Sequence, residues 1–367
     1  MSANKPPAGH ERRSSKLPLL AAAMITAAAV GGALAWSLTG SGNGPHAPVA
    51  ASATPSPTPT GTPGDQYAAG ILKDFSNMST VLISYLQTLQ NWRTDKVDDT
   101  QMGAVAKGVL DDIALTQQAL AARQPFPPAP RAIYDYRAAA DLYGQGTLLA
   151  QAATAVPRGP LRTQLQLAVS RVQTLADRVF DQGSAEMKPF VTPENEFDSV
   201  QVMRADEIPS FGASQIAAGP PLTDVGAAPT PHPYQTTRPE ESLREWLQVA
   251  QGAKIPTAKD TEQAIDSGRV STLSADSVTF THASDLLHDT PDPQGERIVS
   301  TRIQLALLIE AEAAQMGQAA TLVPAAAHET FLHIAQALEL IGDKLWDDRL
   351  GKRDSAYPDS LLVIKAS

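Results

Sequence analysis

The chain has no cysteine, which excludes disulfides, thiolate zinc sites, iron–sulfur clusters and a cysteine nucleophile. Basic residues are in the minority, with Lys+Arg 29 against Asp+Glu 39 and a net charge of −10, so the broad basic face of a general nucleic-acid binder is missing. Aromatic residues make up only 5%, which leaves the core to be built from aliphatic and small side chains. There is no Gly-x-Ser-x-Gly elbow and no phosphate-binding loop ending in Gly-Lys-Ser/Thr. No catalytic residue, cofactor or metal ligand is therefore assigned, and the chain is read as a non-enzyme.

What is present begins at the amino end. Residues 1–16 carry Lys5, Arg12, Arg13 and Lys16 against Glu11 alone, a tail of about +3. Residues 17–38, LPLLAAAMITAAAVGGALAWSL, hold no charge. As a helix they would reach about 33 Å, enough to cross a bilayer core. Basic residues before the span keep that end in the cytoplasm, and the remainder, at about −13, then lies outside. A cleaved signal peptide is the alternative, since Ala33-Leu34-Ala35 fits a small-x-small cleavage site. On the first reading the protein is a single-pass membrane protein, and on the second it is secreted. Residues 39–65, with the tract TPSPTPTGTPG, read as an extended Pro/Thr/Ser linker.

At 367 residues the chain is long enough for two compact units plus extras, and two stretches of it read alike. Gln151-Ala-Ala-Thr-Ala-Val-Pro157 returns 167 residues later as Gln318-Ala-Ala-Thr-Leu-Val-Pro324. Leu175-Ala-Asp-Arg-Val-Phe-Asp181 returns 166 later as Ile341-Gly-Asp-Lys-Leu-Trp-Asp347. Helical periodicity supports the echo. Leu161, Leu165, Ala168, Val172, Leu175 and Val179 match Ala327, Phe331, Ile334, Leu338, Ile341 and Leu345. In the helix before, Ala139, Leu142, Gly146, Leu149, Ala153 and Val156 match Ala306, Ile309, Ala313, Met316, Ala320 and Val323.

The expected architecture is all-α: a transmembrane helix, then two tandem duplicated helical bundles of about four helices each, at 66–182 and 240–350. Earlier helices are expected at 66–91 and 101–123 in the first copy. In the second they fall at 240–252 and 276–289, interrupted by Ile255-Pro256. Between the copies, 183–239 is an irregular Pro-rich bridge in which Phe190-Val191 and Val200–Met203 could pair as short strands or line a groove. Residues 351–367 form a C-terminal tail.

Several groups invite chemistry and then fall short of it. His328 and His333 are five apart, off the four-residue spacing of a metalloprotease helix, and belong at the margin of the core. His282, Asp285, His288, Asp289, Asp292 and Glu296 lack the alternation and central Gly of a calcium loop. Asp98-Asp99 and Asp111-Asp112 read as solvated faces. The doubled pentapeptide is more informative, and it singles out Asp177, Phe180, Asp181, Asp343, Trp346 and Asp347 as a structural or ligand-binding motif. Each Asp pair is i,i+4 near a helix C-terminus, where carboxylates oppose the dipole and repel each other. Their retention in both copies calls for compensation, by an arginine from a neighbouring helix (Arg137 and Arg302 are candidates) or by hydrogen bonds to the irregular segment, or for a bound cation or ligand.

The functional expectation is a membrane-anchored extracytoplasmic helical protein with a non-catalytic scaffold or envelope-interaction role. It would meet the membrane through its N-terminal helix and an envelope or membrane protein as partner, without nucleic acid. The alternatives are a solute- or cation-binding sensor module with its site between the duplicated halves, and an envelope hydrolase using paired carboxylates.

Overall fold

The computed structural model describes residues 61–196, 246–248, 253–288, 290, 297–346 and 361. The segment expected to span a membrane (17–38), the strand candidate at 200–203, and Asp289, Asp292, Glu296 and Asp347 lie outside them. Eight α-helices run through the described residues, where no strand occurs beyond an isolated bridge between Phe126 and Ala129. The protein is all-α there, as expected.

Helix α1 spans Pro63–Arg93, starting inside the expected linker. The end of the Pro/Thr tract is itself a helix start. The Thr62 hydroxyl accepts from the Asp65 amide at 3.1 Å, and the Asp65 carboxylate accepts from the Thr62 amide at 2.8 Å. Pro63 takes the first turn, where a missing N–H costs nothing. The other Asp65 oxygen accepts from the amide and hydroxyl of Thr192, at 2.8 and 3.1 Å. These backbone bonds from Thr192 and Thr62 hold its carboxyl well below the usual carboxylate range.

Helix α2 spans Asp99–Ala122, capped by Asp98 through the Gln101 amide at 2.8 Å. Asp99 is not a solvated face, because it accepts from the Trp92 indole at 2.8 Å and pairs with Arg162, whose guanidinium also lies 4.8 Å from the Trp92 ring. The hydrogen bonds from Arg162 lower the Asp99 pKa. Helices α3 (Ala132–Ala153) and α4 (Pro160–Met187) form a hairpin around Pro157 and Gly159. Gly159 sits at φ 156°, ψ −173°, backbone that only glycine adopts readily.

In the second half, α5 (Ala258–Asp266) occupies chain expected to be an interruption. Its signal is a second capping box, Thr257 with Asp260, directly after Pro256. Helix α6 spans Val270–His288 and starts earlier than expected. Its buried face carries Ser274, Ser277, Thr281 and Ser284 among Leu273, Phe280 and Leu287, which blurs the apolar period. Thr281 turns its hydroxyl back to the Ser277 carbonyl of the same helix at 2.9 Å, whereas Ser284 donates across to the Gln304 carbonyl of the following helix at 3.4 Å. Residues 246–248 are helical, with Trp246 fully buried. Helices α7 (Arg297–Leu322) and α8 (Ala325–Trp346) form the second hairpin.

The two hairpins make one four-helix layer in which α4 packs on α7 and α3 packs on α8. Helices α1 and α2 cover the first hairpin, and α5 and α6 cover the second. Pro59–Ser367 is one compact unit, and its main apolar cluster draws on both hairpins, including Leu142, Val172, Met316 and Leu338. Every seam residue from the sequence is buried except Leu161, which is half-buried. A smaller cluster gathers Trp246, Phe280, Leu287, Ile303 and Leu307.

Phe190-Val191 does not form a strand. Lys188–Phe190 and Pro193–Asn195 are 3₁₀ turns, each with a proline in its first turn, and Phe190 meets Phe126 edge-on at 5.7 Å. The first of these turns abuts α1 so closely that a Cβ on Gly64 would fall 1.9 Å from the Phe190 carbonyl oxygen. Gly64→Ala must push one backbone away from the other. It is expected to lower stability by about 1–3 kcal/mol in urea denaturation. Wild-type stability in that variant would refute the contact.

Candidate functional site

The described residues that concentrate charge and polarity lie along α4 and α7. Deep in this interface Arg171 of α4 is 1% exposed. Its guanidinium grips both oxygens of Glu312 on α7, one of them at 3.0 Å, and reaches the Gln315 amide oxygen at 2.7 Å. The Gln315 amide nitrogen continues to the Ser277 hydroxyl of α6 at 3.1 Å. One network thus crosses three helices with almost no water.

A second network sits toward the other end of α4. Arg302 of α7 donates to both oxygens of Asp135 on α3, at 3.1 and 2.7 Å, and to Glu186 of α4. Burial pushes the Asp135 carboxyl up to about 6, although the Arg302 charge opposes it. Nearby, the Gln182 side-chain amide donates to the Ile298 carbonyl at 2.6 Å.

Beside this second network the helices part and leave an open cleft of about 880 Å³ between α4, the start of α7 and the end of α6. Arg178 and Asp181 face it from α4, Arg297 from α7 and His288 from α6. Leu305 and Leu308, 4% and 7% exposed, lie at its base. A shallower hollow beside Tyr67 and Phe126 is built from the end of α2 and the proline turn after it.

The residues singled out from the sequence go to different places. Asp177 is buried and accepts a short hydrogen bond from the Tyr143 hydroxyl of α3. Burial, reinforced by the Asp177 charge, raises the Tyr143 pKa well above its ordinary value. Phe180 stacks edge-on against Phe75 at 4.9 Å and Tyr136 at 5.1 Å. Asp181, one turn on from Asp177, faces the cleft. Asp343 is buried in α8, and Trp346 is half-buried against both apolar clusters. Helices α4 and α8 are diagonal in the layer, so Asp177 and Phe180 do not converge with Asp343 and Trp346 on one site.

The expected arginine partners have other work. Arg137 caps the end of α2, donating to the carbonyls of Leu120, Ala121 and Arg123 at 2.9, 3.1 and 2.9 Å. Arg302 serves Asp135 and Glu186. Sequence reasoning missed both buried networks and the cleft beside them. One signal was available: Asp135 and Arg302 stand 167 residues apart, the offset of the echo itself, with opposite charge. His328 and His333 are half-buried, and the His328 ring lies 2.7 Å from the Ala320 carbonyl oxygen, which makes it a cap for the end of α7. Among the described residues, no group of three or more metal-ligating side chains is placed to hold an ion. Comparison with known proteins returns no matching family model, curated protein or solved structure.

Removing one partner of a buried pair leaves an uncompensated charge. Arg171→Met is expected to cost about 3–5 kcal/mol in urea denaturation, and Arg171→Met with Glu312→Met less than either change alone. Additive losses would show that the pair is not coupled. The raised pKa of Asp135 sets a second expectation. Its folded value lies above the unfolded one of about 3.9, so its contribution is full below about pH 4 and is lost as pH rises through about 6. Against Asp135→Asn, wild type should lose on the order of 2 kcal/mol between pH 4 and 7. A constant difference would mean that Asp135 titrates normally.

Proposed function

We propose that this chain is a single-pass, extracytoplasmic helical protein whose two halves arose by duplication and which works by recognition, not catalysis. The membrane address rests on the basic tail and the uncharged residues 17–38. Within the described residues no helix is long and apolar enough to cross a membrane. Duplication is supported by the seams, buried at matching positions in both hairpins, and by the reciprocal packing of α4 on α7 and α3 on α8.

The observation that carries the recognition reading is the α4–α7 interface. Arg171 pairs with Glu312 inside it, and Arg302 pairs with Asp135 and Glu186, an arrangement suited to holding two halves in register. Beside them an open cleft remains. Between a pure scaffold and a module that binds a solute between its halves, the cleft favours the second.

Fractionation tests the address. Full-length protein is expected in the membrane pellet, to resist alkaline carbonate extraction, and to be digested by protease added to intact cells with the outer envelope removed. Recovery in the cytosolic fraction would overturn it. Release into the medium with a new N-terminus after residue 35 would establish the signal-peptide form instead.

A further inference from the structure

Little holds α5 to the rest of the fold. Its nine residues are too few to stay helical alone in water, where even about 12–15 are marginal. It depends on docking against α6, α7 and α8. Of its buried residues, Ala258, Thr261, Glu262, Ala264 and Ile265, only Ile265 is large and apolar. Ile265 and Leu273 of α6 close over Gly317 of α7, where an added Cβ would lie 3.3 and 3.1 Å from them. Gly268 turns the chain from α5 into α6 at φ 60°, left-handed backbone that glycine supplies without strain.

A carboxyl group is shut in where α5 meets α6. Asp276 of α6 is 8% exposed, and one of its oxygens has no hydrogen-bond partner among the described residues. Asp260, in the first turn of α5, repels its ionised form, and Arg269, just before α6, attracts it. The Asp260 charge is committed, because the Thr257 hydroxyl of the capping box donates to it at 2.6 Å and lowers its pKa. Helix α7, which also packs on α6, offers this stretch Gln315 on Ser277 and Gly317 on Leu273, and neither titrates. Burial, reinforced by the Asp260 charge, pushes the Asp276 carboxyl up to about 6. The seat of α5 is also partly polar. Next to Leu273 and Gly317 stand Ser274 and Gln318, both buried, with the serine hydroxyl and the whole glutamine amide unpartnered among the described residues.

We propose that α5 is a flap controlled by a single proton: it stays docked on α6, α7 and α8 while Asp276 is neutral, and works loose when Asp276 ionises against Asp260. The neutral acid is an uncharged group in a closed place. The carboxylate is a second negative charge beside one that the cap keeps ionised, and it regains water only when α5 moves away. With α5 lifted, Asp276 titrates near its ordinary value of about 3.9, and with α5 docked it titrates at about 6. Docking is therefore tightest below about pH 4 and weakens as pH rises through about 6, toward a limit of about a hundredfold. This device depends neither on the recognition reading nor on the membrane address.

The test is hydrogen–deuterium exchange of the full-length chain in neutral phosphatidylcholine nanodiscs, read by mass spectrometry at pH 4.5 and 7.5 with the chemical exchange rate divided out. Protection of the α5 amides is expected to fall by at least about tenfold from the lower pH to the higher, more than in α1 or α2. In Asp276→Asn that fall should vanish, while every other titrating group, Asp135 included, is unchanged. If Asp276→Asn melts early, the wild-type profile decides, since the fall in α5 must centre near pH 6. Equal protection of α5 at both pH values overturns the proposal. So does a fall of the same size in α1 and α2, a wild-type midpoint well away from pH 6, or a fall that persists in folded Asp276→Asn.

Discussion

Everything in this fold depends on a guanidinium with nowhere to go. Arg171 is buried between hairpins, and the only hydrogen-bond partners its side chain has there are Glu312 and Gln315. Stripping water from such a group costs several kcal/mol, so its value lies less in net stability than in excluding other arrangements. That exclusion matters here. The helices are rich in alanine, and no disulfide fastens one half to the other. Apolar packing alone would accept a slide of one turn along α4. The Arg171 network would not, because a slide leaves three polar groups dry and unmatched.

The second network adds a constraint of a different kind. Arg302 reaches diagonally across the four-helix layer from α7 to Asp135 on α3. If the halves are copies, these two residues hold matching positions, and such residues can touch only near the axis that relates the copies. The two halves differ elsewhere in ways that buried chemistry makes visible. Gln145 stands where the second half has Glu312, and Ala337 where the first has Arg171, so the ion pair exists on one side of the layer only. Gln145 is fully buried, and both atoms of its amide lack a hydrogen-bond partner. Tyr143, Gln173 and Asp177 match Glu310, Glu339 and Asp343, and all six are buried. One half is thus built around a tyrosine–aspartate bond, and the other encloses three acids.

The sequence made some of this plain and hid the rest for physical reasons. The seams were legible because apolar periodicity is a local property, and eleven of the twelve residues on α4 and α8, together with all twelve of the preceding pair, are buried. Helix α5 was hidden by Ile255-Pro256, which read as an interruption although it directly precedes a capping box. The start of α1 was hidden for the same reason, since Thr62-Pro63-Gly64-Asp65 looks like linker and acts as a cap. The site was less legible still. Asp181 was singled out and does face the cleft, but Arg178, Arg297 and His288 come together only when α4, α6 and α7 are assembled. Asp99 looked solvated because nothing local announces Arg162, 63 residues away.

The clasp at Asp65 has a mechanical consequence. Its carboxylate ties the first turn of α1 to Thr192, just beyond the end of α4. Tension arriving through the chain before Thr62 therefore does not act on a free helix end. It is shared between α1 and the segment that closes the first half, and several hydrogen bonds must yield together. Bonds loaded in parallel resist far more than bonds loaded one after another. The place where the chain enters its fold is accordingly built as an anchorage, able to bear a pull without peeling α1 from the core.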